Sequence, residues 1–282
     1  MQPRNAEALP EGLELAGFRI ERVLRTTGFA IAYRAAEPGG RMLALREYFP
    51  APWARRGQDG RAVVPNPGAE AAFAAGLARF RAEADALRGF HHPGLAQALD
   101  YVEAHGTGYL VSEFVAGETL AARLARAGTL PEDAMPDLLA PLLAGLEALH
   151  RAGLVHGDVQ PDTIVLRDDD ALPMLLDLAA TRHALARAAH DSEDAATWGY
   201  GAPDEYPEEA AGEEGPWTDV YGVGATLYRC VSGMRPIGAR ERLREIGTGA
   251  PDPLIPAARA AGGRYSAPLL DAIDAALRLD AA

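Results

Sequence analysis

Several side chains that could take part in catalysis lie close together in the sequence, between residues 156 and 164. This stretch contains His156, Asp158, Gln160 and Thr163, and it follows an apolar segment with helical spacing. A carboxylate in such a loop can orient a hydroxyl group and accept its proton. It can equally serve as a hydrogen-bond acceptor that ties the loop together. Which role applies depends on the elements that would place a reactant beside Asp158.

Composition limits the classes of protein to consider. The chain has 282 residues, enough for one large two-lobed domain or two small ones with a buried core. Its formal net charge of -13 argues against a basic surface for nucleic acid or anionic lipid. The single cysteine, Cys230, excludes an internal disulfide, and no apolar run is long enough to span a bilayer. We therefore expect a cytoplasmic domain with no nucleic-acid partner and no membrane segment.

The first part of the chain is rich in strand patterns. Apolar and polar residues alternate in a way that predicts three antiparallel strands, at residues 18–24, 31–35 and 42–48. Residues 51–70 contain several Pro and Gly and predict an irregular connection. Apolar residues from Phe73 to Leu87 then recur at helical spacing, with Glu83 on one flank. Two further strands are predicted at 95–101 and 108–114.

The second part of the chain is predicted to be mostly helical. Helices are expected from Pro131 to Leu149, from Asp219 to Ser232 and from Ala267 to Leu279, with short strands at 164–166 and 174–176. Residues 180–215 are a long polar segment. We therefore predict an α+β chain with an N-terminal extension at 1–16, a strand-rich lobe at 17–114 and a mostly helical lobe at 115–282.

Seven short motifs follow one another along the chain, at Leu43–Tyr48, Glu83, Glu113–Val115, His156–Asp158, Asp177–Ala179, Ala202–Asp204 and Asp219. In this order they resemble the protein kinase family, especially bacterial serine/threonine kinases, over nearly the full length. One such motif would be weak, but seven in register favour the fold strongly. The resemblance implies a bilobal protein-kinase-like fold, with an antiparallel β-sheet N-lobe and a helical C-lobe.

The resemblance also implies a role for each site residue. Asp158 stands where the family has its catalytic base, and Gln160 stands where it has a Lys that stabilises the transferring phosphoryl group. Asp177 and Thr163 occupy the two metal-binding positions, while Asp219 occupies the position that anchors the catalytic loop. The nucleotide-binding positions fall on Gly28, Arg46, Glu83, Glu113 and Val115.

The phosphate-binding loop departs from the family pattern. The family needs glycines there so that backbone N–H groups can approach phosphate without a Cβ in the way. Arg25, Thr27 and Ala30 occupy the three glycine places, and only the neighbouring Gly28 remains. The loop should therefore bind phosphate poorly, although an arginine such as Arg25 can itself bind phosphate.

The charged positions depart from the pattern as well. Arg46 replaces the family's Lys, and its planar fork favours a bidentate pair with Glu83 over a bridge to nucleotide. The sequence contains no Lys at all, which explains the origin of this exchange but not its consequence. Gly157 removes the Arg that pairs with a phosphorylated activation loop. Gln160 lacks a charge, a loss of about 3 kcal/mol of transition-state stabilisation, and Thr163 replaces an Asn at the metal position.

These departures predict a pseudokinase that binds Mg-ATP weakly or not at all and acts through a protein partner. In that case Asp158 mainly holds its loop together. The alternative is an active but atypical serine/threonine kinase that relies on Asp158, Asp177 and Arg46. A small-molecule phosphotransferase of the aminoglycoside or choline type ranks lower, because those enzymes are not expected to have the segment from Gly199 to Asp204 that leads into Asp219.

Overall fold

The computed structural model describes residues 7–176, 199–205 and 215–280. These residues belong to two compact units. The first contains residues 7–91 and 96–114, and the second contains residues 92–95, 115–176, 199–205 and 215–280. Each unit is built around its own set of secondary structure elements.

The first unit is organised around an antiparallel sheet of six strands. The described strands of the whole unit are β1 (Glu14–Leu15), β2 (Phe18–Thr26), β3 (Ala30–Ala36), β4 (Met42–Tyr48), β5 (Ala54–Arg56), β6 (Val63–Pro65), β7 (Ala98–Ala104) and β8 (Thr107–Glu113). The sheet has the order β1-β2-β3-β4-β8-β7, while β5 and β6 pair separately. The strands predicted at 18–24, 31–35 and 42–48 are confirmed.

Strand β4 shows how the sequence pattern builds this unit. Leu43 and Leu45 are buried, whereas Met42, Ala44 and Arg46 on the opposite face are half-buried, as period-two alternation requires. The helix α1 (Glu70–Arg88) contacts the strand through Tyr48, whose ring centroid lies 5.2 Å from that of Phe73 and 5.7 Å from that of Phe80, and both elements contribute to one hydrophobic core. The helical pattern that begins at Phe73 is therefore confirmed, and it brings Glu83 to the same unit as Arg46.

The prediction of an irregular connection at residues 51–70 is wrong, because β5 and β6 form a hairpin there. Its strands have only three residues each, too few for alternation to be visible in the sequence. The turn is held by Asp59, whose Oδ1 accepts the backbone N–H groups of Arg61 and Ala62 at 3.0 and 2.9 Å. The short strand β1 within residues 1–16 was also not predicted.

The second unit is mostly helical, as predicted. Its helices are α2 (Leu120–Ala127), α3 (Met135–Arg151), α4 (Pro216–Ser232), α5 (Ala239–Gly247), α6 (Ala257–Ala260) and α7 (Ala267–Ala276). Strands β9 (Gly117–Thr119), β10 (Ile164–Arg167) and β11 (Pro173–Leu175) form a three-stranded sheet in the order β11-β10-β9. Helix α4 is buried along most of its length, which explains its nearly continuous apolar sequence.

The boundaries in this unit differ from the predicted ones at several points. Helix α3 begins at Met135, after a separate 3₁₀ turn at Glu132–Ala134, and not at Pro131. Helices α2, α5 and α6 were not predicted, because they are short and only a few of their residues are buried. Most of the polar segment predicted at 180–215 lies outside the described residues.

Strand β9 requires a glycine at its first position. Gly117 has φ +156°, and a Cβ there would lie 2.1 Å from the carbonyl oxygen of Leu166 on β10. Only a residue without a side chain permits this approach of the two backbones. Gly117 therefore marks a close contact between β9 and β10.

Candidate functional site

One buried carboxylate fixes the start of the loop that contains Asp158. Asp219, in the first turn of α4, is 1% exposed. Its Oδ2 accepts the backbone N–H of His156 at 2.9 Å, and its Oδ1 accepts that of Gly157 at 2.7 Å. His150, at the end of α3, places Nε2 2.7 Å from Oδ2. The anchoring contact that the family resemblance implied for Asp219 is thus present.

His156 and Gly157 adapt to this backbone in different ways. The Nδ1 of His156 accepts the N–H of Asp158 at 3.2 Å, and its Nε2 donates to the carbonyl of Leu176 at 2.9 Å. Because a carbonyl can only accept, this arrangement requires a neutral ring with its proton on Nε2. Gly157 has φ +73°, a conformation that glycine adopts without strain.

Asp158, Gln160 and Thr163 contact one another inside the loop, and all three are buried. The amide nitrogen of Gln160 donates to Oδ1 of Asp158 at 2.5 Å. The hydroxyl of Thr163 accepts the N–H of Gln160 at 3.2 Å and directs its proton toward the carbonyls of Asp158 and Gln160, at 2.5 and 3.0 Å. A hydroxyl has one proton and two lone pairs. The proton and one lone pair of the Thr163 hydroxyl are therefore used within the loop.

The other metal position of the family pattern, Asp177, lies outside the described residues. Among residues 7–176, 199–205 and 215–280, no group of three or more His, Cys, Asp or Glu side chains is placed to hold a metal ion. Asp204, in the 3₁₀ turn Pro203–Glu205, accepts the hydroxyl of Thr218 in the first turn of α4. This contact ties the Ala202–Asp204 motif to the helix that carries Asp219.

An ion pair joins Arg46 on β4 to Glu83 on α1. The two side chains are only 12% and 4% exposed. The guanidinium of Arg46 also lies over the ring of Phe80, 5.0 Å from its centroid. An ion pair between these two residues was expected from the sequence, and the contact joins Nη2 of Arg46 to Oε1 of Glu83. The guanidinium thus contacts a carboxylate and an aromatic face.

The turn that contains Gly28 is attached to the residues that follow β4. The carbonyl of Gly28 accepts the N–H of Ala51 at 2.9 Å, and the carbonyl of Phe29 accepts that of Phe49 at 3.0 Å. The ring of Phe29 is 4% exposed and makes an edge contact with Trp53, at 6.4 Å between centroids. The phosphate-loop equivalent is therefore held by the segment that leads into the β5–β6 hairpin.

Two of the predicted nucleotide-binding positions, Glu113 and Val115, belong to different units. Glu113 is the last residue of β8, where its Oε1 accepts the N–H of Gln97 at 2.8 Å and its own N–H donates to the Gln97 carbonyl at 3.0 Å. Val115 is half-buried and belongs to the second unit. The carboxylate of Glu113 thus supports the chain before β7.

A buried charge beside Arg46 was not predicted from the sequence. Glu47 is 0% exposed, and its two carboxylate oxygens accept four bonds of 2.7 Å, two from the guanidinium of Arg56 and one each from the hydroxyls of Tyr33 and Tyr109. Burial, together with Glu47, raises the pKa of both tyrosines. Burial lowers the pKa of Arg56, but the bonds to Glu47 outweigh this effect and the net shift is upward. We call these four residues the Glu47 cluster.

The Glu47 cluster also holds the beginning of the described chain. The Nε of Arg56 donates to the carbonyl of Glu7 at 2.7 Å, and the hydroxyl of Tyr33 accepts the N–H of Leu9 at 3.0 Å. A signal for the cluster exists in the sequence. In a strand, Glu47 lies on the same face as Leu43 and Leu45, so its carboxylate is predicted to be buried. A buried carboxylate needs a cation as its partner.

Comparison with known proteins identifies the family. A family model described as the protein kinase domain matches residues 69–251, which is more than half of the chain. The chain belongs to the protein kinase family. Among curated relatives, the serine/threonine-protein kinase PknL of Mycobacterium tuberculosis is 36% identical over 162 residues, and PknA of a Nostoc strain is 33% identical over 162 residues.

These matches cover part of each protein. They include 57% and 56% of this kinase domain, and 39% and 29% of PknL and PknA respectively. The chain thus spans less than half the length of these relatives.

Solved structures support the same assignment. The apo form of PpkA-294 superposes with a TM-score of 0.80 and 31% identity, covering 97% of this chain and 94% of that one. The kinase domain of Mycobacterium tuberculosis PknI, at 21% identity and a TM-score of 0.69, shows the fold alone. The predicted α+β protein kinase fold and the resemblance to bacterial serine/threonine kinases are confirmed. No helix in the described ranges is long and apolar enough to cross a membrane.

Proposed function

We propose that this protein kinase domain is a pseudokinase in which the catalytic loop has a structural role. The observation that carries the proposal is the set of contacts that Asp158, Gln160 and Thr163 make with one another. Each side chain bonds within the loop, at the positions where the family places a base, a cation and a metal ligand. The relatives are serine/threonine kinases, but the loop of this domain uses the same positions to stabilise itself.

Electrostatics support this proposal. Phosphoryl transfer develops negative charge, and the family supplies a cation at the position of Gln160. A neutral amide that donates to Asp158 cannot supply that charge. The loss of about 3 kcal/mol would by itself slow the reaction about 100-fold or more.

The nucleotide side of the domain supports weak binding. Protein kinases generally use ATP with magnesium, and Lys at the position of Arg46 contacts the phosphates. Here the guanidinium of Arg46 pairs with Glu83 and stacks on Phe80, which favours a structural ion pair. We therefore propose weak or no Mg-ATP binding.

A domain that keeps the kinase fold without phosphate chemistry can still present a surface to another protein. The buried polar contacts that maintain the fold are retained, including those of Asp219 with His156 and Gly157. We propose that the function is regulatory or scaffolding, through a protein partner. A second candidate is an atypical active serine/threonine kinase. It is favoured by the presence of Asp158 at the position of the base and by the ion pair of Arg46 with Glu83.

Two measurements on the purified domain separate these candidates. Titration with ATP, with and without magnesium, is expected to give little thermal stabilisation of the wild type, and Arg46→Lys tests whether one exchange carries the defect. Transfer of radiolabelled phosphate to protein substrates is expected to be absent with either magnesium or manganese. Transfer that disappears in Asp158→Asn would contradict the pseudokinase proposal.

The same variant tests the structural role of Asp158. Asp158→Asn removes a charged acceptor from a buried amide, and we expect the free energy of unfolding to fall by about 1–3 kcal/mol. Asp162→Asn is the matched control, because Asp162 is exposed in the same loop. Equal stability of the two variants would show that Asp158 does not hold the loop together.

A further inference from the structure

The turn between β2 and β3 bonds its own amide groups. The Oγ1 of Thr27 accepts the N–H of Ala30 at 3.0 Å and that of Phe29 at 3.3 Å. The backbone N–H of Thr27 donates to the Ala30 carbonyl at 2.9 Å. The Thr27 side chain thus occupies the turn at a position where the family has no side chain.

These amide groups belong to the loop that holds phosphate oxygens in the family. Backbone N–H groups in a tight turn are donors for an anion. A hydroxyl oxygen and a phosphate oxygen are alternative acceptors for the same N–H groups. A phosphate that binds here must therefore displace Thr27 from Phe29 and Ala30 and leave its hydroxyl to find another partner.

The surroundings of the turn oppose such a rearrangement. The carbonyls of Gly28 and Phe29 bond to Ala51 and Phe49, and the buried ring of Phe29 packs on Trp53. Moving the turn away from the Thr27 hydroxyl would disturb these contacts. The Thr27 side chain and the contacts of Gly28 and Phe29 therefore stabilise the same conformation of the turn.

We propose that the Thr27 hydroxyl is an internal substitute for a phosphate oxygen and excludes the phosphates of a nucleotide from this turn. The ligand class that remains compatible with the turn is one without phosphate, such as a nucleoside. This inference rests on the proposed function, because it supplies a cause for weak ATP binding. It is specific to one hydroxyl group and so can be tested separately.

The first test measures hydrogen exchange of individual backbone amides by NMR. Thr27→Val keeps the shape of the side chain and removes the acceptor, so the amides of Phe29 and Ala30 should exchange at least about tenfold faster. Thr27→Ser keeps the hydroxyl and should exchange as the wild type does. Thr27→Gly restores the family's residue and provides a second variant without the hydroxyl. Unchanged exchange in both Thr27→Val and Thr27→Gly overturns the proposal.

The second test measures binding of ATP and adenosine by calorimetry, without magnesium. Thr27→Gly removes both the hydroxyl and the side chain that fills the turn, so it should tighten ATP binding about tenfold and leave adenosine binding unchanged, because only the phosphates gain donors. Equal ATP affinity in wild type and Thr27→Gly, no measurable ATP binding by either protein, or an equal gain for adenosine overturns the proposal. Phosphate transfer by the wild type would contradict the proposed function without changing the amide exchange, so the two failures are distinguishable.

Discussion

Replacing Arg56 by Met should destabilise the domain strongly, because it leaves the carboxylate of Glu47 buried without its cation. Glu47 is 0% exposed, and two of its four bonds come from Arg56. The hydroxyls of Tyr33 and Tyr109 would remain, but neither carries a positive charge. The methionine side chain retains the packing of the arginine stem.

The magnitude follows from the burial and from the number of bonds lost. Removing one partner of a buried ion pair costs about 3–5 kcal/mol, and each bond to a charged group contributes about 1.5–3 kcal/mol. We expect a loss of about 4 kcal/mol in the free energy of unfolding. At roughly 2–4 °C per kcal/mol, Tm should fall by about 10 °C.

Thermal and urea unfolding of matched variants would test this expectation. Arg55→Met is the control, because Arg55 is exposed and its contacts with Pro65 and Asn66 are 3.5 Å long. It should change stability by less than about 0.5 kcal/mol. A cost for Arg56→Met below about 1 kcal/mol, or equal to that of the control, would refute the reasoning.

A double variant separates the charge from the packing. Glu47→Gln removes the negative charge, so Arg56→Met should cost at least about 1 kcal/mol less in that background than in the wild type. Additive losses would show that the pair contributes through packing and not through charge.

Two further predictions concern pH and reactivity. The bonds from Arg242 hold the pKa of Asp252 below its ordinary value, so Asp252 stabilises the fold above about pH 4 and loses this effect as pH falls through the lowered pKa. The difference in unfolding free energy between wild type and Asp252→Asn should therefore be constant near neutrality and shrink below about pH 4; a constant difference down to pH 3 would contradict this. Burial raises the pKa of the Cys230 thiol to about 12, so the native protein should not react with a thiol reagent at pH 8 until it unfolds. Rapid labelling of the folded protein would be inconsistent with a buried thiol.

The strands and helices with clear apolar periodicity could be predicted from the sequence. Strand β4 and helix α1 follow their patterns because one face of each is buried in the same core. The β5–β6 hairpin could not be predicted, because strands of three residues carry no visible period and long-range contacts hold them. One such contact is the bond from Val63 to the carbonyl of His105 in the turn between β7 and β8.

The site divides in the same way. The positions of Asp158, Arg46 and Glu83 could be read from motif order, and the pairing of Arg46 with Glu83 followed from charge. The bonds of Thr27 and Gln160 could not, because they depend on which rotamer a short polar side chain adopts in a folded turn. The burial of Glu47 could have been predicted, because Glu47 lies on the same face of β4 as the buried residues Leu43 and Leu45.

The contacts of Asp219 have a consequence for how motifs indicate activity. The carboxylate binds main-chain N–H groups at His156 and Gly157, and every residue except proline supplies such a group. This anchor depends on the main chain of residues 156 and 157, so it can persist while side chains elsewhere in the loop change. An aspartate at position 219 is therefore evidence for the position of the loop, and by itself it is no evidence for catalysis.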